Sequence, residues 1–210
     1  MTHVQILVDN PASWMVPHAR RLVDELTRAG HAAKLLHEHE AVEQGDILCL
    51  LSCEKLFKRL ELNRHNLVVH SSDLPRGKGW SPLTWQILEG KNDIPMTLFE
   101  AAAEVDAGVV YNRAVLTFNG TELLPEMTRL QGEKIVEIIL RFVAAYPRVN
   151  GKPQEGESTF YPRRRPADSR LDPERSLAEQ FNLLRVCDNE RYPAFFDFRG
   201  ERYTIRIERG

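Results

Sequence analysis

Short apolar runs separated by polar turns punctuate the first two thirds of the chain. Val4-Gln5-Ile6-Leu7-Val8, residues 33–36, residues 46–51, Leu67-Val68-Val69, residues 96–99 and Val109-Val110-Tyr111 are too short for helices and read as strands. The middle runs are apolar without alternation, as expected of strands buried on both faces of a parallel sheet. Helical spacing appears between them. Residues 19–29 place Leu22, Val23 and Leu26 on one face and end at Gly30. Ser81-Pro82 opens a short helix over 83–88, closed by Gly90. Gly120 marks a turn, and Thr121 is the expected cap of a long amphipathic helix running to about residue 145. Strands alternating with helices predict an α/β fold: a Rossmann-like, mostly parallel sheet with helices on both faces.

The pattern changes after Tyr146. Residues 147–156 hold Pro, Gly, Asn and Lys and read as a linker. Phe160-Tyr161-Pro162-Arg163-Arg164-Arg165-Pro166 follows, then a predicted helix over 173–185. Residues 195–198 and 203–207 alternate about Arg199-Gly200-Glu201 as a hairpin does. The reading is therefore a sheet domain over 1–150 and a small C-terminal subdomain over 151–210 that packs on it.

Composition narrows the classes of function. At 210 residues the chain can bury a proper core without staples. A formal charge of −2 argues against a general polyanion binder, so no nucleic-acid partner is expected. No signal-like start and no membrane-spanning apolar run is seen, so no membrane partner is expected either. Three cysteines, few and odd in number, fit reduced thiols and a cytoplasmic location.

Candidate chemistry gathers at strand ends. His70 closes the central run and is followed by Leu74-Pro75 and the flexible basic turn Arg76-Gly77-Lys78-Gly79. Asp106 follows another strand and a small-residue loop, so both residues fall at the sheet edge where α/β folds place chemistry. The loop after the first strand, Asp9-Asn10-Pro11-Ala12-Ser13-Trp14, lacks a dinucleotide fingerprint. His37-Glu38-His39-Glu40 lacks the i, i+4 histidine pair of a zinc helix, so it reads as a solvated loop and no metal is expected.

These residues carry a resemblance. His70-x-Ser72-x-Leu74-Pro75, the glycine-rich basic turn, the Ser-Pro helix start and Val105-Asp106-Ala107-Gly108 resemble the folate-dependent formyltransferases over the first ~150 residues. Phe160-Tyr161-Pro162-Arg163-Arg164, then Leu184-Arg185 and the segment from Asp188-Asn189-Glu190-Arg191 to Tyr192-Pro193-Ala194-Phe195-Phe196, are similar to the tail of the nucleotide-sugar N-formyltransferases. Asn10, Ser13 and Trp14, with Trp80-Ser81-Pro82, resemble the branch acting on a UDP-linked 4-amino-4,6-dideoxy sugar.

The resemblance implies transfer of a formyl group from N10-formyltetrahydrofolate to the amine of a nucleotide-linked amino sugar. It implies His70 and Asp106 as the catalytic pair. Leu51-Ser52-Cys53 and Ala103-Glu104-Val105 take the pterin-binding positions. Asn10, Ser13, Trp14, Ser72, Lys78, Trp80, Arg163, Arg185, Asn189 and Tyr192 are the substrate candidates, with Arg185 suited to a diphosphate and Tyr192 to stacking. Pairing of two subunits through the C-terminal elements is a further implication. One departure stands out. The family carries Asn two residues before the histidine, and here that position is Val68. Asn66 lies four residues before His70, roughly 13 Å along a strand. Rival readings are a glycinamide ribonucleotide transformylase, a formyltetrahydrofolate hydrolase, or a non-catalytic binding protein on the same fold.

Overall fold

The computed structural model describes residues 1–210. Its centre is a six-stranded sheet. β1 (His3–Leu7), β2 (Ala32–Leu36), β3 (Gly45–Leu50) and β4 (Asn63–His70) pair in parallel, in the order β2-β1-β3-β4. β6 (Asp93–Glu100) lies beside β4 and runs antiparallel to it, and β7 (Val110–Thr117) is antiparallel to β6 at the edge. The two-residue β5 (Lys78–Gly79) belongs to the turn after His70. The strands are longer than the apolar runs, because the polar ends Asn63-Arg64-His65-Asn66 and Asn112-Arg113 also pair. The strand order reverses between β1 and β3, which opens a crevice beyond their C-terminal ends.

Period-2 alternation sorts each strand into two faces. Val4, Ile6, Ile47, Cys49, Leu67, Ile94, Met96 and Leu98 share one core with α1 (Val16–Arg28), α2 (Pro82–Leu88) and α3 (Leu124–Ala145). Fully burying each aliphatic side chain contributes about 1.5–3 kcal/mol. The alternate residues Leu7 and Leu48 pack on the other face with Val42 and Phe57, and Val68 packs there with Leu74, Phe99 and Val110. The three long helices thus share one face. Helical cover on the other is reduced to the single 3₁₀ turns at His39–Ala41 and Leu60–Leu62.

Two local expectations are corrected. Thr121 does not cap α3, since its N–H and hydroxyl both donate to Asn119 Oδ1. The helix start lies two residues further on, with Leu123 at the cap and Pro125 in the first turn, and the Glu126 carboxylate accepts the Leu123 N–H there. The helix read over 173–185 shortens to α4 (Phe181–Arg185). The Gln180 amide bonds the Asp172 backbone in both directions, and Glu179 bonds Ser176, so local polar contacts replace a helical ladder.

The tail has a small core of Leu171, Leu184, Cys187 and Ala194 under the hairpin of β9 (Ala194–Phe198) and β10 (Glu201–Ile205). Residues after Tyr146 do not hang free. Lys152 and Val110 exchange both backbone hydrogen bonds, at 2.7 and 2.8 Å, and β8 (Phe160–Tyr161) pairs with β5 in parallel. No helix is long and apolar enough to cross a membrane.

Candidate active site

β4 ends at His70 and the loop after β6 carries Asp106, and the two side chains converge. His70 Nδ1 stands 3.9 Å from Asp106 Oδ1, with both side chains about nine-tenths buried. That is ion-pair distance, longer than a hydrogen bond. The second ring nitrogen, Nε2, lies 2.9 Å from the Gly77 carbonyl oxygen. A carbonyl only accepts, so Nε2 carries a hydrogen, and Nδ1 is the ring nitrogen that faces Asp106. The other carboxylate oxygen, Oδ2, accepts the Gly79 N–H at 2.9 Å.

One short strand therefore serves both members of the pair. Gly77 and Gly79 offer a carbonyl and an N–H from the same edge of β5, one to the histidine and one to the aspartate. The opposite edge is held by the tail. Lys78 N–H donates to Thr159 O, Trp80 N–H to Tyr161 O, and Gly77 N–H to Thr159 Oγ1. Gly79 is required there: at φ +94° a Cβ would sit 2.5 Å from the Tyr161 carbonyl oxygen. Trp85 stacks on the Tyr161 ring and donates its indole N–H to Pro162 O, fixing the same segment to α2.

The other candidates fall into three groups. The first lies at this edge. The Ser72 hydroxyl is buried with no partner. The Lys78 side chain is only 6 % exposed, with Glu104 Oε1 3.7 Å from its ammonium and the Phe160 ring alongside. Trp80 is 47 % exposed, and the Arg163 guanidinium lies 4.9 Å over its ring. Ala103, Glu104 and Val105 form the exposed rim of the Asp106 loop.

The second group lies at the crevice between β1 and β3. Asn10 donates to Glu54 and accepts the Ala12 N–H, while the Ser13 and Ser52 hydroxyls approach to 3.4 Å. Leu51 turns its side chain into the main core, so only its backbone is offered there. Trp14 packs against that core with its edge toward His18. Cys53 donates to Leu7 O, and burial pushes its thiol up to about 12. Asp9 organises this corner: its carboxylate accepts the N–H groups of Glu54 and Lys55 and pairs with His39. His37 donates to Val8 O.

The third group is Arg185, Asn189 and Tyr192 in the tail, and the side chains of the first two are committed elsewhere. Arg185 is 1 % exposed and cannot reach a diphosphate. Its guanidinium is engaged by Asn92 and Asn182, with Glu122 3.8 Å away, so it bolts the tail to the sheet. Asn189 is engaged by the Ile207 backbone in both directions. Tyr192 is in the adjoining turn, its N–H bonded to Asp188 O and its carbonyl to Ser169, and its side chain is exposed. Asn66 is also committed elsewhere, donating to Leu60 O.

One residue that sequence reasoning missed is Gln154, whose amide donates to both Asp106 O and Gly108 O at 2.9 Å. A polar residue in a linker carries no signal that would single it out.

No protein-family model matches the chain. Solved structures share its architecture. Methionyl-tRNA formyltransferase from Clostridium thermocellum superposes with a TM-score of 0.80 at 20% identity, over 96% of this chain and 90% of that one. HypX from Aquifex aeolicus, solved with tetrahydrofolic acid, superposes at 0.81 with 19% identity, over 98% of this chain and 37% of its own. A sugar N-formyltransferase from a Shewanella species gives 0.68 at 16% identity, over 99% and 97%. The chain thus has the Rossmann-like α/β fold found in formyltransferases.

Proposed function

We propose that this protein moves a formyl group from N10-formyltetrahydrofolate to the amine of a nucleotide-linked amino-deoxy sugar. The observation that carries the reading is the approach of His70 and Asp106 across a single short strand that bonds to both. The donor would supply a formyl carbon activated as an amide, which makes the step acyl transfer between amines. A fit for such a donor is supported by the unpartnered Ser72 hydroxyl and by the buried Lys78 ammonium, which meets Glu104 of the Asp106 loop.

The chain's own groups then have distinct tasks. His70 Nδ1 takes the proton that the acceptor amine sheds on bonding to the formyl carbon and would hand it to the folate nitrogen whose bond to that carbon breaks, and the Gly77 carbonyl keeps the ring in the tautomer that can do so. Asp106 stabilises the imidazolium and holds its orientation. Negative charge developing on the carbonyl oxygen is met by Ser72 and Lys78, since Val68 packs against Leu74, Phe99 and Val110 and offers no donor. Such a donor is typically worth ~10²–10³ in turnover. The backbone of Leu51-Ser52-Cys53 and the rim Ala103-Glu104-Val105 flank the pterin. Exposed Trp80 stacks a nucleobase and Arg163 meets its phosphate. The setting is cytoplasmic synthesis of surface polysaccharide precursors.

The test is an assay of formyl transfer to a UDP-4-amino sugar, with glycinamide ribonucleotide and water as competing acceptors. The sugar is expected to be formylated, and His70→Ala to lower turnover by about 10²–10⁴. Turnover untouched by His70→Ala, or confined to glycinamide ribonucleotide, would sink the reading. Val68 favours a second one: a folate-binding protein with little turnover. A strong rise in rate for Val68→Asn would support it.

A further inference from the structure

We infer that Gln154 is a positioning residue that holds Asp106 in place for His70. The chemistry it serves rests on the proposed function; the positioning rests on geometry alone. Asp106 sits at φ +54°, a left-handed conformation that a non-glycine residue keeps only where its surroundings impose it. The carboxylate is held from one side by the Gly79 N–H. From the other side, Gln154 Nε2 donates to the carbonyls of Asp106 and Gly108, both at 2.9 Å, and so straddles Ala107. The amide orientation follows from its partners, because its oxygen turned toward two carbonyls would be repelled. The remaining Oε1 is buried and meets no donor, so every hydrogen bond the side chain makes is to this loop. The segment that carries Gln154 is itself fixed. Two residues earlier, Lys152 exchanges both backbone bonds with Val110. Five residues later, Thr159 begins the contacts that brace β5 under His70. One stretch, 152–161, therefore braces the loops of both catalytic candidates.

The experiment compares the whole protein with Gln154→Ala, Gln154→Glu and Asp106→Asn, each checked by thermal melting. The first readout needs no activity: the ¹⁵N resonances of the His70 ring. Gln154→Ala is expected to move them in the same direction as Asp106→Asn, with the melting temperature unchanged. Gln154→Glu, equal in size but facing two carbonyls with oxygen, is expected to move them further than Gln154→Ala. The second readout is kinetic. Gln154→Ala is expected to lower kcat about ten- to a hundredfold, the scale of a misplaced catalytic group, with KM for the folate unchanged. In an Asp106→Asn background the same substitution is expected to add little, because its effect runs through Asp106. His70 resonances that coincide with wild type in Gln154→Ala would overturn the inference. Wild-type protein that formylates no amine would remove the proposed function instead, and the resonance comparison would still decide the role of Gln154.

Discussion

Gly79 donates its backbone N–H to the Asp106 carboxylate across 2.9 Å while its Cα faces the Tyr161 carbonyl. The residue thus joins the catalytic candidate to the tail with no side chain of its own. Gly79→Ala is expected to separate β5 from β8, because the new methyl would stand 2.5 Å from that oxygen and φ is +94°. The strain is roughly 1–3 kcal/mol. The proposed formyl transfer should fall, and the tryptophan fluorescence from Trp80 and Trp85 should change. Wild-type rate and spectrum together would show that β5 does not depend on its pairing.

Asp9 makes the corner at residues 52–55 sensitive to acid. Burial favours its neutral form, but the N–H groups of Glu54 and Lys55 and the His39 ring outweigh that and hold the carboxyl below its ordinary value. A carboxyl depressed by folding adds stability wherever the unfolded group is already ionised, above about pH 4. That contribution is lost as pH falls through the lower folded value. Hydrogen exchange, corrected for its intrinsic pH dependence, should show the Glu54 and Lys55 amides losing protection below about pH 4. Asp9→Asn should show the same loss at neutral pH.

Cys53 should be inert in the native protein. Burial chiefly, with the Asp9 charge adding to it, pushes its thiol up to about 12. At pH 8 only about one molecule in ten thousand carries the thiolate that reacts. Iodoacetamide should therefore spare Cys53 in the native protein and label it in urea. Rapid native labelling at Cys53 would show that the corner opens.

Arg185 should matter for stability and not for substrate. Replacing it with Met leaves Glu122 without its buried cation and removes the bonds to Asn92 and Asn182. Removing one partner of a buried pair costs about 3 kcal/mol. In a chain of this size that lowers the melting temperature by roughly 10 °C. On the proposed function, the KM for the nucleotide sugar should stay unchanged in the folded fraction, and a specific rise in KM would restore Arg185 to the substrate site.

The central fold was legible because Ile6, Cys49, Leu67 and Met96 sit in short, mainly apolar runs between polar turns, the mark of buried strands. His70 and Asp106 were legible as strand-end residues, and the sheet brought them together. What the sequence concealed depends on long-range geometry. Arg185 looks like a phosphate ligand by residue type; only the packed tail shows it paired with Glu122. Gln154 lies in a stretch that reads as a linker, and its value comes from two carbonyls nearly fifty residues away. Gly77 and Gly79 read as a flexible turn, whereas their backbone is pinned on both edges.

The six strands and α3 are complete by Ala145, yet β5 acquires its partner only at Phe160–Tyr161. During translation, the hydrophobic interior can close well before the strand under His70 is braced. A nascent polypeptide released after α3 would lack the sixteen residues up to Tyr161 that carry β8, so on the proposed function competence is conferred late, by the ribosome's delivery of that stretch.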